Sequence, residues 1–209
     1  MNSEFFGIHV RNTEIGWPPF PVTAQRLWDS NTAWPDIEPS SGSRNWTQLD
    51  GQVARAMGQK AFLLYTCGRT PQWAARDPRA WSAYGPGQSS PPLDFATWEQ
   101  FITEVVVRHK TRIRAYELWN EPFTGPLVPP FWSGTADELL DFCRKTAMLI
   151  RRLDPAALIV SPGFVDSTGA RTFIDRGGAD FCDVVAVHGY MPPGNEHHLV
   201  SRMNLIRSA

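Results

Sequence analysis

No apolar run in this sequence approaches the length of a membrane-spanning helix, which excludes a transmembrane segment. Charge of one sign is missing as well. Twenty Lys and Arg face 21 Asp and Glu, a formal net charge of −1, so neither nucleic acid nor an anionic membrane surface is an expected partner. Cysteine is scarce. Cys67, Cys143 and Cys182 are odd in number and far apart, which argues against a disulfide framework and a zinc site. No Gly-x-Gly-x-x-Gly follows any apolar segment, so a dinucleotide cradle is excluded. His9 stands without the second histidine that a metal-dependent barrel hydrolase wants after its first strand, and the adjacent His197 and His198 chelate poorly together. We therefore expect neither metal nor organic cofactor. The start, Met-Asn-Ser-Glu-Phe-Phe, shows no basic segment followed by an apolar one, so no signal peptide is visible and the compartment stays open.

What the sequence does have is tryptophan, nine in 209 residues. Indoles fill cores, but they also make flat platforms for the apolar faces of sugar rings. Trp17, Trp34, Trp73, Trp81 and Trp132 fall in loop-like stretches, and we take Trp34 and Trp73 as candidate platforms. A length of 209 residues, 42% hydrophobic and 20% charged, fits one globular domain spanning 1–209.

Short apolar runs alternate with helix-period segments. Strands are expected at 5–10, 25–29, 61–66, 115–119, 158–162 and 183–188. Between them, Leu49, Val53 and Met57 share a helix face, and Phe95, Trp98, Ile102, Val105 and Val106 form a second stripe that Asp94 caps. Thr135 and Glu138 make a capping box for a helix that ends at Asp154-Pro155. The first crossover, 11–24, holds three prolines and no helical period, so it reads as a loop. This alternation predicts an α/β fold with a parallel sheet. Polar and aromatic residues crowd nearly every strand end, which favours a closed (β/α)8 TIM barrel over an open doubly wound sheet. Six units are present, so the expectation is an incomplete barrel.

Trp119-Asn120-Glu121-Pro122 closes the fourth strand. Cleaving a glycosidic bond needs a carboxylic acid with a raised pKa to protonate the leaving oxygen, and Glu121 is placed for that role. Asn120 can hydrogen-bond a sugar hydroxyl, and Pro122 turns the chain away. Period two puts Glu117, Trp119 and Glu121 on the barrel face and Tyr116 and Leu118 toward the helices. Glu117 lies ~13 Å along the strand from Glu121, at roughly 3.3 Å per residue. That is too far for a catalytic carboxylate pair, so Glu117 reads as the buried partner of a cation such as Arg26. Asp29, Asp166 and Glu196 are the other carboxylates near strand ends. None is assigned as nucleophile, and Asp29 is taken as substrate-binding.

An ordered set of segments extends this reading: Phe6-Gly7-Ile8-His9, Arg26-Leu27-Trp28-Asp29, Trp34, Ile37-Glu38-Pro39, Asn45-Trp46, Gly68-Arg69-Thr70-Pro71-Gln72-Trp73-Ala74, Tyr116 to Pro122, and Val187-His188-Gly189-Tyr190. Across almost the whole chain it resembles the clan A glycoside hydrolases, the retaining (β/α)8 enzymes, and most of all families 39 and 5. The resemblance implies Glu121 as acid/base and Asn120 as its neighbouring sugar ligand. It implies Arg26 beside the nucleophile, His188 and Tyr190 lining the glycone subsite, and His9 as a subsite residue. It also implies a nucleophilic glutamate at the end of strand seven, which would lie beyond Ala209 and leave this chain alone inactive. The expected function is retaining hydrolysis of a β-linked glycan or glycoside. The rival is a non-catalytic carbohydrate-binding or scaffold half-barrel. Sugar, linkage and oligomeric state stay open.

Overall fold

Every crossover returns the chain to the same growing edge of one sheet. In the computed structural model, β1 (Gly7–His9), β2 (Ala24–Leu27), β3 (Phe62–Thr66), β4 (Ala115–Glu117) and β5 (Leu158–Val160) pair in parallel, in the order β1-β2-β3-β4-β5. A doubly wound sheet reverses its strand order once at a switch point. This sheet never does, which is the winding of a TIM barrel, here a partial one. The structure describes residues 7–9, 17–20, 22–123, 131–190, 193–195, 198, 200, 201 and 204. The expected strand residues 5, 6 and 10, most of the first crossover, Glu196, His197 and the terminal 205–209 lie outside them. Residues 17–20 of that crossover are not helical, in keeping with a loop.

The sixth expected strand, 183–188, does not form a continuous ladder. It runs beside β5 through two isolated parallel bridges, Val160 with Val184 and Phe164 with Val187. The reason lies in Ser161-Pro162-Gly163. Pro162 has no N–H to give, and the Ser161 hydroxyl accepts the Ala186 N–H at 2.9 Å in place of a backbone carbonyl.

Helices α1 (Trp34–Ile37), α2 (Thr47–Gly58), α3 (Phe95–His109), α4 (Ala136–Leu153) and α5 (Ser167–Asp175) follow the strands. Two caps behave as their sequences dictate. The Asp94 carboxylate accepts the Thr97 N–H at 2.9 Å, and Thr135 and Glu138 cap each other at 3.2 and 2.7 Å. The main core lies between sheet and helices. Leu63, Tyr65, Tyr116 and Ile159 from the strands meet Val53, Ile102, Val105, Cys143 and Ile150 from the helices, all fully buried. Trp34, which we expected in a loop, begins α1 instead. It is 0% exposed and stacks on Phe101 at 5.4 Å. Trp132 is buried too, edge-on to Trp119.

Removing the Thr135 hydroxyl leaves one of the first N–H groups of α4 without its acceptor. Thr135→Ala should lower unfolding stability by ~1 kcal/mol in chemical denaturation, and Thr135→Ser should restore it.

Candidate active site

The polar end of the sheet is assembled by register. Arg26 lies opposite Leu64, and Thr66 lies opposite Glu117, so side chains from three neighbouring strands converge. The Arg26 guanidinium donates to Glu117 Oε2 at 2.8 Å and to Asn120 Oδ1 at 2.7 Å. The Thr66 hydroxyl donates to the same Glu117 oxygen at 2.6 Å. Glu117 is 1% exposed, and an ionised carboxylate that deep needs both a counter-charge and hydrogen bonds. It has both, as its spacing from Glu121 had indicated. Arg26 in turn fixes which way Asn120 points.

Period-two alternation ends with β4. Trp119 is 1% exposed and packs against Trp132 and Phe142 of α4, so it faces the helices and not the barrel. The ladder explains the change. Leu118 N donates to Val160 O at 3.1 Å, but Pro162 can donate nothing. Bonding resumes in the opposite phase, from Gly163 N to Trp119 O at 2.9 Å and from Glu121 N to Gly163 O at 2.8 Å. Glu121 then takes a left-handed backbone, φ 44°. Such a conformation costs a non-glycine residue about 1–2 kcal/mol and persists where surrounding contacts enforce it. Asp29 (φ 53°) and Arg69 (φ 59°) do the same after β2 and β3, so backbone strain recurs around this mouth.

The Glu121 side chain is 14% exposed, neither sealed in nor turned to bulk solvent. Its Oε1 sits 2.5 Å from His188 Nδ1 and 2.8 Å from the Tyr190 hydroxyl, which donates to it. His188 is held by its backbone, whose N–H donates to Phe164 O at 2.8 Å. Burial pushes the Glu121 pKa up. Hydrogen bonds from His188 and Tyr190, with the fields of His188 and Arg26, outweigh it and leave the carboxyl below the ordinary glutamate range. This runs against the expectation of a raised pKa: the groups around Glu121 favour its carboxylate form. The same partnership pushes the Tyr190 phenol up to about 12, by burial first and by Glu121 next.

The structure thus brings Arg26, Asn120, Glu121, His188 and Tyr190 together. His9 stands at the rim, where its Nε2 meets the Trp28 carbonyl. Asp29 lies beside the Tyr84 hydroxyl, which also accepts the Trp28 indole N–H at 2.9 Å. The platform role for Trp34 is overturned, because a ring buried on both faces and tied to Glu38 at 2.9 Å offers nothing to a sugar. Trp73 is half-buried, edge-on to Trp34, and its indole donates to the Glu38 carbonyl at 2.9 Å, which pins its loop. Asp166 is exposed and caps α5, accepting from Gly169 N at 2.9 Å. Glu196 lies outside the described residues. Among those residues no cluster of three metal-ligating side chains occurs. Sequence reading missed Thr66, Tyr84 and Gly163. Only the last left a signal, a glycine directly after a strand-end proline. A Cβ at Gly163 would come within 2.4 Å of His188 Nε2 and 2.6 Å of Glu117 Oε1, so two site residues crowd against bare backbone there.

No family model matches the chain, and no curated protein does. Solved structures do. A family 39 glycoside hydrolase from the gut symbiont Bacteroides cellulosilyticus WH2 is similar over 83% of this chain, at 20% identity and TM-score 0.59. A glucosidase from Croceicoccus marinus is similar over 90%, at 19% identity and TM-score 0.66. A family 10 glycoside hydrolase from Paenibacillus barcinonensis is similar over 99%, at 14% identity and TM-score 0.66. The chain spans only 34%, 42% and 66% of those three chains. At such identities the likeness is one of fold, and that fold is the TIM barrel.

The hydrogen bonds on Glu121 have a measurable consequence. Carbon-detected titration of its carboxyl should give a midpoint below that of an unstructured glutamate, and Tyr190→Phe should move it upward. Because the folded value is depressed, this group's contribution to stability is present above the unfolded-state pKa and fades as pH falls through the folded one. An unshifted midpoint in both proteins would contradict the hydrogen-bonded geometry.

Proposed function

We propose that this chain is the acid/base-bearing part of a retaining glycoside hydrolase acting on a β-linked glycan or glycoside, with Glu121 as the acid/base. The observation that carries this reading is one half-buried carboxylate at a barrel strand end. It has a strained backbone, a histidine and a tyrosine on one oxygen, and an arginine-held asparagine beside it. The three barrels of similar fold are named as glycoside hydrolases or a glucosidase.

In this mechanism His188 Nδ1, 2.5 Å from Glu121 Oε1, and the Tyr190 hydroxyl hold the Glu121 carboxyl in place until substrate arrives. A sugar ring entering the mouth displaces water and withdraws the Tyr190 hydroxyl from Oε1. Both changes destabilise the anion, and Glu121 takes up a proton from solvent as the ring enters. Glu121 then protonates the leaving oxygen, and in the second step it takes a proton from the attacking water. Asn120, fixed by Arg26, binds a hydroxyl of the ring under attack. Glu117 keeps Arg26 neutralised and takes no direct part. A retaining mechanism also requires a second carboxylate as nucleophile, and none of the described residues is assigned that role. A second reading, sugar binding without turnover, has one observation in its favour: His188 and Tyr190 converge on one Glu121 oxygen, an arrangement that favours the carboxylate form suited to holding a hydroxyl.

The test is hydrolysis by the full-length polypeptide. Glu121→Gln should lower turnover of unactivated oligosaccharides by about 10²–10⁴-fold while sparing aryl glycosides whose leaving groups need no proton. Equal loss on both substrates, or no loss, would overturn the assignment. Oligosaccharide binding without turnover by the unaltered protein would favour the second reading.

A further inference from the structure

Of the nine tryptophans, eight are buried or half-buried, and Trp81 alone is exposed, at 56%. A single exposed apolar residue is ordinary on a protein surface. Trp81 differs in what presents it. It lies in the long connection between β3 and α3, on the strand-end side of the barrel. That connection is knitted by buried hydroxyls where a flexible loop would leave them to water. The Ser89 hydroxyl donates to the Trp81 carbonyl at 2.6 Å, and the Thr70 hydroxyl donates to Ser90 O at 2.6 Å. The Ser90 hydroxyl accepts Asp77 N at 3.0 Å, and Gly87 N donates to Ala80 O at 2.8 Å. Thr70, Ser89 and Ser90 are all buried. The indole is therefore held out to solvent by a stiff frame, and no aromatic ring among the described residues stacks on it.

The same frame is tied to the site on both sides. Three residues on, Tyr84 accepts the Trp28 indole N–H and lies beside Asp29 at the end of β2. Three residues span at most ~10 Å of chain, so Trp81 stands on the rim of that mouth. On the other side Ser133 N donates to Ser89 O at 2.8 Å, and Phe131 packs on Tyr84 at 5.6 Å. Residues 131–133 belong to the connection that follows Glu121. The Arg69 guanidinium completes the frame, over the Tyr84 ring at 4.6 Å and paired with Asp36 at 2.9 Å.

We propose that Trp81 is a stacking platform for a sugar unit of a bound oligosaccharide, one or more units away from the unit held at Glu121. The inference deepens the glycosidase reading and rests on it. A rigid, flat, apolar face with water on one side suits the C–H face of a pyranose and loses little conformational freedom on binding. It makes the substrate a chain of sugars and not a lone glycoside.

Calorimetric titration of the Glu121→Gln protein, slowed on unactivated oligosaccharides, separates the possibilities. The probes are the β-1,4-linked hexaoses and bioses of xylose and of glucose. Trp81→Ala should weaken the better hexaose by about tenfold and leave its biose unchanged, with Tm unaffected because the side chain is exposed. Trp81→Phe should recover part of the loss. Unchanged hexaose affinity in Trp81→Ala would overturn the platform and leave the glycosidase reading standing. An equal loss for hexaose and biose would overturn its placement away from the cleaved unit. Failure of all four sugars to bind the protein that retains Trp81 would overturn the sugar reading, and the platform with it.

Discussion

The geometry of this site depends on one peptide, Pro162-Gly163, and on what it lacks. Pro162 lacks an N–H, so the ladder between β4 and the chain after β5 lapses and restarts in the other phase. Gly163 lacks a side chain, so His188 and Glu117 can close over its backbone. The carbonyl of Gly163 then holds Glu121, and the carbonyl of the next residue, Phe164, holds His188. The acid/base candidate and its histidine are thereby pegged to neighbouring atoms of one strand end. A hydrogen bond of 2.5 Å between their side chains needs that economy of reference points. Two loops anchored independently would not keep it.

Electrostatics follows from the same arrangement. Arg26 faces two carboxylates of different burial. Glu117, sealed and bonded through one oxygen to Arg26 and Thr66, works as a fixed counter-charge. Glu121, at the opening, is 14% exposed and is bonded through one oxygen to His188 and Tyr190. One cation thus steadies the inner carboxylate permanently and the outer one only by its field. The difference between the two acids is a difference in depth along a single strand end, which gives one residue type two environments.

Much of this was legible in the residues. The strand and helix alternation, the capping box at Thr135 and the Glu117–Arg26 partnership all follow from local pattern and elementary distance. The rest failed for identifiable reasons. Alternation, expected to run through Trp119 to Glu121, breaks just past β4 because the phase change originates in a proline on the neighbouring strand. Trp34 reads as a loop residue beside Pro35, but Pro at the first turn of a helix is favourable, and the indole had a core to enter. The pKa of Glu121 came out in the opposite direction because two of its three controlling groups, His188 and Tyr190, arrive from nearly 70 positions away. Tyr84 and Thr66 carry no motif at all and are known only by where the sheet puts them.

The left-handed backbones at Asp29, Arg69 and Glu121 have an evolutionary corollary. Glycine is the residue most at ease in such a conformation, so replacing any of the three would relieve local strain. A population selected only for thermal robustness would therefore drift toward glycine at the very positions that line the opening. Two acids and an arginine stand there instead, so this opening carries charged side chains at the cost of local backbone strain.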